Sequence, residues 1–108
     1  MSKFLVLYRA PMSARAQMAD STPEQRQASM DAWMAWAGKA GSAILDLGAP
    51  LGDGEVVGSG TAGDEIGGYS IMEAASQADV VAMLDGHPHF QTPGGSIEVH
   101  EFLAMPGM

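Results

Sequence analysis

Residues Lys3 to Arg9, Lys-Phe-Leu-Val-Leu-Tyr-Arg, have no polar face. Read with the two-residue period of a strand, Phe4, Val6 and Tyr8 point one way, and Leu5 and Leu7 point the other. A strand that is apolar on both sides has to be covered on both sides. Pro11 ends the run. A sheet built on this strand therefore needs two covers.

Helices supply one of them. Thr22-Pro23-Glu24-Gln25 is a strong helix start, with a capping threonine, proline at the first helical position and a glutamine placed to complete a capping box. The helix is predicted to run to about Gly38 or Gly41, with Met30, Trp33, Met34 and Ala37 as its core stripe. Trp36 falls off that stripe, where an exposed tryptophan marks an interface. Asp31 falls at its edge, about 100° from the centre. Its neighbours there are Ala28, Ala35 and Gly38, small enough to admit a backbone or a ligand. A second helix begins at Ser76, with Asp79 three residues on, and shows Val80, Val81, Met83 and Leu84 on its apolar face. Gly86 ends it and Pro88 stops it from resuming.

Four further segments read as strands or as approaches to them. Gly68 to Ala74 sets Tyr69 and Ile71 against Ser70 and Met72. Ser96 to Ala104 sets Ile97, Val99 and Leu103 against Glu98, His100 and Phe102. Ala43 to Leu47 is a short strand or the approach to one, and Glu55-Val56-Val57 is expected as an edge strand after the turn cluster from Gly48 to Gly54. Ala14 to Ser21 reads as an irregular connection, and Gly58 to Asp64 as a hairpin loop with no phosphate-loop pattern. The order β-α-β-β-α-β is that of two split β-α-β units. It predicts an α+β, ferredoxin-like domain over residues 1–108 with both helices on one face of the sheet. The second cover is then a twin molecule, sheet against sheet, in a homodimer. Composition points the same way: charged residues are only 17%, against about one quarter in ordinary domains.

The net charge is -8, with five basic residues in all. No phosphate-tracking stripe can be built from so few, so neither nucleic acid nor an anionic membrane is an expected partner. No apolar run reaches the length of a membrane span, and the N-terminal run is too short for a secretory leader, so a cytoplasmic location is expected. The absence of cysteine excludes disulfides, thiolate nucleophiles and Cys-type zinc sites. The nine methionines are dispersed, which suits packing rather than a soft-metal site. No dinucleotide fingerprint or serine nucleophile elbow is present, and no cofactor is expected.

The stretches Lys3-Phe4-Leu5-Val6-Leu7-Tyr8, Gly67-Gly68-Tyr69-Ser70-Ile71, His87-Pro88 and Gly94-Gly95-Ser96-Ile97-Glu98-Val99 resemble the YCII-related family, in particular its DGPF-domain branch. The resemblance runs over most of the chain and is weakest from Ala10 to Ser21. It implies a dimeric α+β barrel in which two ferredoxin-like protomers face each other around a shared cavity. The Asp-Gly-Pro-Phe motif itself is absent, and Gly58 to Glu65 stands where it would fall. In the wider family a histidine on the first helix and an aspartate after the second are regarded as an acid–base pair. Here Asp31 and His87 occupy those places with the residue types exchanged.

All three histidines lie between His87 and His100. Histidine suits proton transfer because its unperturbed pKa is near 6.5, and a carboxylate on one ring nitrogen fixes the tautomer and favours the protonated form. His87 is thus a candidate general acid or base and Asp31 its orienting carboxylate. In the plainer alternative, His87 bonds the end of the second helix and Asp31 is a solvated flank residue. Glu98 and His100 share a strand face, and Tyr8 and Ser70 are expected to project into the same space, giving donors and acceptors for a small polar ligand. His87, His89 and His100 lack metal-ligand spacing, so no metal is expected. Three functions follow: an enzyme on a small metabolite using the Asp31–His87 pair; a non-catalytic dimeric binding or regulatory module, which the DGPF branch's link to sigma factors supports; and a cofactor-free oxygenase, by fold analogy alone.

Overall fold

The structure is a computed structural model that describes residues 1–60 and 65–105. Its strands are β1 (Ser2–Ala10), β2 (Ile44–Asp46), β3 (Glu65–Ala74) and β4 (Ser96–Glu101). Its helices are α1 (Ala14–Asp20), α2 (Pro23–Ala40) and α3 (Gln77–Met83), with short 3-10 turns at Gly41–Ala43 and Pro88–Gln91. The four strands form one sheet in the order β2-β3-β1-β4, and each neighbouring pair is antiparallel. That is the strand order of a ferredoxin-like α+β fold.

The alternation read from β1 sets the two faces. Phe4, Val6, Tyr8 and Ala10 are buried on the helix side, with Ser70, Met72 and Ala74 beside them on β3. Trp36, Val80 and Leu84 close this core from the helix layer. On the other side Leu5, Leu7, Tyr69 and Ile71 are only half-buried and take no part in the core cluster.

Both helix starts form as their sequences dictate. Thr22 and Gln25 complete a reciprocal capping box, with Gln25 N–H donating to Thr22 Oγ1 at 3.1 Å and Thr22 N–H to Gln25 Oε1 at 2.8 Å. Ser76 Oγ accepts the N–H of Asp79 at 3.2 Å.

Several expectations are corrected. Residues 14–20 are helical, because Ser13 Oγ accepts the N–H of Ala16 at 3.1 Å and so supplies a cap. Helix α2 is rotated from the expected phase: Trp36 is 5% exposed, whereas Met30 and Met34 are 57% and 53% exposed. The buried stripe is Trp33, Trp36, Ala37 and Ala40. Bulk decides this, since two indoles bury more apolar area than the flexible methionines and Trp36 Nε1 finds an acceptor in Met83 O at 2.9 Å. Glu55-Val56-Val57 is exposed and in no strand; Ile44–Asp46 is the edge strand beside β3. Strand β4 stops at Glu101, although the N–H of Phe102 still bonds Lys3 O at 2.9 Å. Part of the expected 58–64 hairpin loop, residues 61–64, lies outside the described residues.

Candidate functional site

Helix α3 ends in a tight turn that delivers His87. Gly86 takes a φ of 73°, a left-handed conformation natural to glycine. The His87 N–H then donates to Leu84 O at 3.0 Å, and Pro88 opens a 3-10 turn. The imidazole turns inward and is only 1% exposed. It stacks on Tyr8 at 5.1 Å and 25°, and meets Trp33 at 4.5 Å and Trp36 at 4.3 Å edge to face. Its Nδ1 accepts the backbone N–H of His89 at 3.0 Å. In the neutral ring the proton therefore sits on Nε2, a buried atom with no hydrogen-bond partner among the described residues. Burial, reinforced by nearby His89, pushes the His87 pKa down to about 4.

Asp31 is not brought to this ring. It is exposed on α2 and its Oδ1 accepts from Gln27 Nε2, one turn back, at 2.9 Å. By helical geometry Asp31 lies about 160° around the axis from Trp33 and about 140° from Trp36. The rotation that buries Trp36 thus carries Asp31 away from His87. The backbone of His89, not a carboxylate, sets the His87 tautomer.

Tyr8 and Ser70 also lie on the helix side. Ser70 Oγ donates its single proton to Leu47 O at 2.7 Å, so Tyr8 donates to Ser70 Oγ at 2.8 Å. Burial raises the Tyr8 pKa, and the Ser70 bond offsets only part of that rise. His89 completes the buried polar set, with Nε2 donating to Arg9 O at 2.8 Å.

Glu98 and His100 lie on the open face, so the sheet divides the expected four-residue constellation in two. Register is the reason: β4 pairs Ile97 with Tyr8 and Glu98 with Leu7. Even-numbered residues of β1 therefore share a face with odd-numbered residues of β4. On the open face Arg9 Nε and Glu98 Oε1 form an ion pair at 2.7 Å, and Glu98 Oε2 accepts from His100 Nε2 at 3.0 Å. The His100 bond, followed by the Arg9 charge, holds the Glu98 carboxyl below the usual carboxylate range. Ionised Glu98 can only accept, so the proton of neutral His100 sits on Nε2 and its Nδ1 carries a lone pair.

From the sequence Arg9 has no assigned role, Trp33 and Trp36 are expected in packing or an interface, and His89 is weighed only as a metal ligand. Arg9 was legible, since it shares its β1 face with Leu5 and Leu7. Among the described residues no three His, Cys, Asp or Glu side chains gather to hold a metal. Two open clefts lie elsewhere. One, of about 270 Å³, runs between α3 and β4 past Leu84, Phe90 and Ile97. The other, of about 500 Å³, lies beside Glu73, Ala74 and Met83.

The chain shares its fold with a dehydrochlorinase. The solved structure is 5-chloro-2-hydroxyhydroquinone dehydrochlorinase (TftG) from Burkholderia phenoliruptrix AC1100, in complex with 2,5-dihydroxybenzoquinone. The TM-score is 0.52, over 95% of each chain, at 21% sequence identity. Likeness at that identity speaks for the fold. No family model matches the chain, and no curated protein matches it in sequence. No described helix is long and apolar enough to cross a membrane.

Proposed function

We propose that two copies of this chain stack their open sheet faces into a dimeric α+β barrel, as in the YCII-related proteins it resembles. The chamber between them receives a small metabolite on which the protein acts, in the cytoplasm. The observation that carries this reading is Glu98, held between Arg9 and His100 on a face whose middle is lined by Leu5, Leu7 and Ile71. An apolar floor with a few fixed polar groups is the usual make-up of a small-molecule site. The shared fold with a dehydrochlorinase supports an enzyme in this scaffold, and the flat oxygenated ring in that complex suggests the size and shape of ligand.

A second reading, a dimeric binding or regulatory module linked to a sigma factor, draws on one specific observation. His87 is sealed among aromatic rings and has no carboxylate partner, so the Asp31–His87 pair supplies no chemistry in this geometry.

Size-exclusion chromatography with light scattering should give twice the protomer mass at micromolar concentration. Titration with 2,5-dihydroxybenzoquinone, followed by its own absorbance, should saturate and weaken at least tenfold in Arg9→Ala. A monomer that does not bind the quinone contradicts the proposal. Saturable binding of candidate metabolites with no turnover favours the regulatory module.

A further inference from the structure

Resting on the two-copy reading above, we infer that His100 is a general base, positioned by Glu98, for enolisable carbonyl compounds with a small apolar body. Glu98 and His100 stand two residues apart on β4, so both side chains leave the same face of the sheet. The Nε2–Oε2 bond of 3.0 Å commits the His100 proton to Glu98 and leaves the Nδ1 lone pair outside that bond. Arg9, at 2.7 Å from the other carboxylate oxygen, holds Glu98 in place and ionised. This is the carboxylate–imidazole arrangement that was expected of Asp31 and His87, realised on the opposite face of the sheet. His100 is in contact with solvent and open to a ligand, whereas His87 is enclosed.

The groups around the pair select the substrate. Leu5 lies directly across from His100, Leu7 directly across from Glu98, and Ile71 beyond Leu5 on β3. The other charged groups on this face of β1 and β3, Lys3 and Glu73, sit opposite one another at its far end and offset each other.

The step conserves atoms and electrons. Nδ1 of His100 takes a proton from the carbon next to a carbonyl, and the C–H pair becomes the C=C of an enolate while the C=O pair moves to oxygen. The imidazolium, stabilised by Glu98, returns its proton to that oxygen or to carbon. The net change is a shift of one hydrogen, with no oxidant or co-reactant.

The test follows exchange of the α-hydrogens of cyclohexane-1,4-dione in deuterated water by proton NMR, using the full chain. The wild-type protein should exchange them at least tenfold faster than free imidazole at the same concentration. His100→Gln should return the rate to that of buffer. Glu98→Gln should lower it about tenfold and move the pH midpoint of exchange downward, a change that a purely structural ion pair would not produce. Exchange no faster than imidazole, or a wild-type rate in His100→Gln, overturns the inference. Light scattering on the same samples separates it from the reading beneath it. A monomer with His100-dependent exchange removes the dimer and keeps the base; a dimer without such exchange does the reverse.

Discussion

At the scale of single residues, His87 and His100 show how surroundings divide one chemistry. Both are imidazoles near the last strand. His87 is enclosed by Tyr8, Trp33 and Trp36, and its pKa is pushed down to about 4, against 6.5 for the free side chain. Its contribution to stability follows from linkage. Above about pH 6.5 the ring is neutral in folded and unfolded chains alike, so its full stabilisation is present. As the pH falls toward 4 the unfolded chain takes up the proton first, and stability is lost. The shift corresponds to about 3 kcal/mol at most across that window. A proton on Nδ1 would also displace the His89 N–H that this atom accepts at 3.0 Å, and so undo the 3-10 turn. His87→Asn keeps an acceptor at that place without a titrating ring. Urea unfolding at pH 7 and pH 4.5 should show a clear loss of stability for the wild type and a smaller one for His87→Asn. Equal losses in the two proteins would mean that His87 does not carry the acid sensitivity.

Elements differ in how legible they were. Strand faces could be read from the two-residue period, and β1 and β3 put Phe4, Val6, Ser70 and Met72 on the core side as that period requires. The register between strands could not be read, and it is register that parted Tyr8 and Ser70 from Glu98 and His100. Helix α2 misled because alanines and methionines blur its apolar period, leaving the two indoles to settle its rotation. Trp36 fixes that rotation by hydrogen bonding the last residue of α3. Trp36→Phe keeps the ring packing but leaves Met83 O short of a donor, at a cost of about 1 to 2 kcal/mol. That should lower the melting temperature by about 5 to 10 °C, and an unchanged melting temperature would show that the bond does not hold the two helices together. Gly48 fixes the edge next to β3. Its φ is 83°, and an added Cβ would lie 1.7 Å from Tyr69 O, a backbone atom that cannot step aside. Gly48→Ala should destabilise the chain by at least about 2 kcal/mol, read as a lower urea midpoint with an unchanged slope.

The whole molecule measures 48 × 40 × 19 Å. The short dimension has room for one sheet and one layer of helices, each about 10 Å deep. The two-sided apolar pattern of β1 asked for a third layer, and Leu5, Leu7, Tyr69 and Ile71 remain half-buried where that layer would lie. The charged groups that β1, β3 and β4 put on this face oppose one another: Arg9 pairs with Glu98, and Lys3 stands opposite Glu73. A face so arranged suits the two-copy barrel proposed above, in which its apolar middle would be shared across a two-fold axis. Leu7 is the place to test this, since it sits between Tyr69 and Glu98 in the sheet and contributes nothing to the helix-side core. Leu7→Glu puts a carboxylate beside Glu98 and, in a dimer, close to its own counterpart. The expected outcome is a folded monomer, with the far-ultraviolet circular dichroism of the wild type and half its mass by light scattering. A Leu7→Glu protein that still runs as a dimer would mean that the two copies meet through some other surface, and that the Glu98–His100 pair faces open water rather than a chamber.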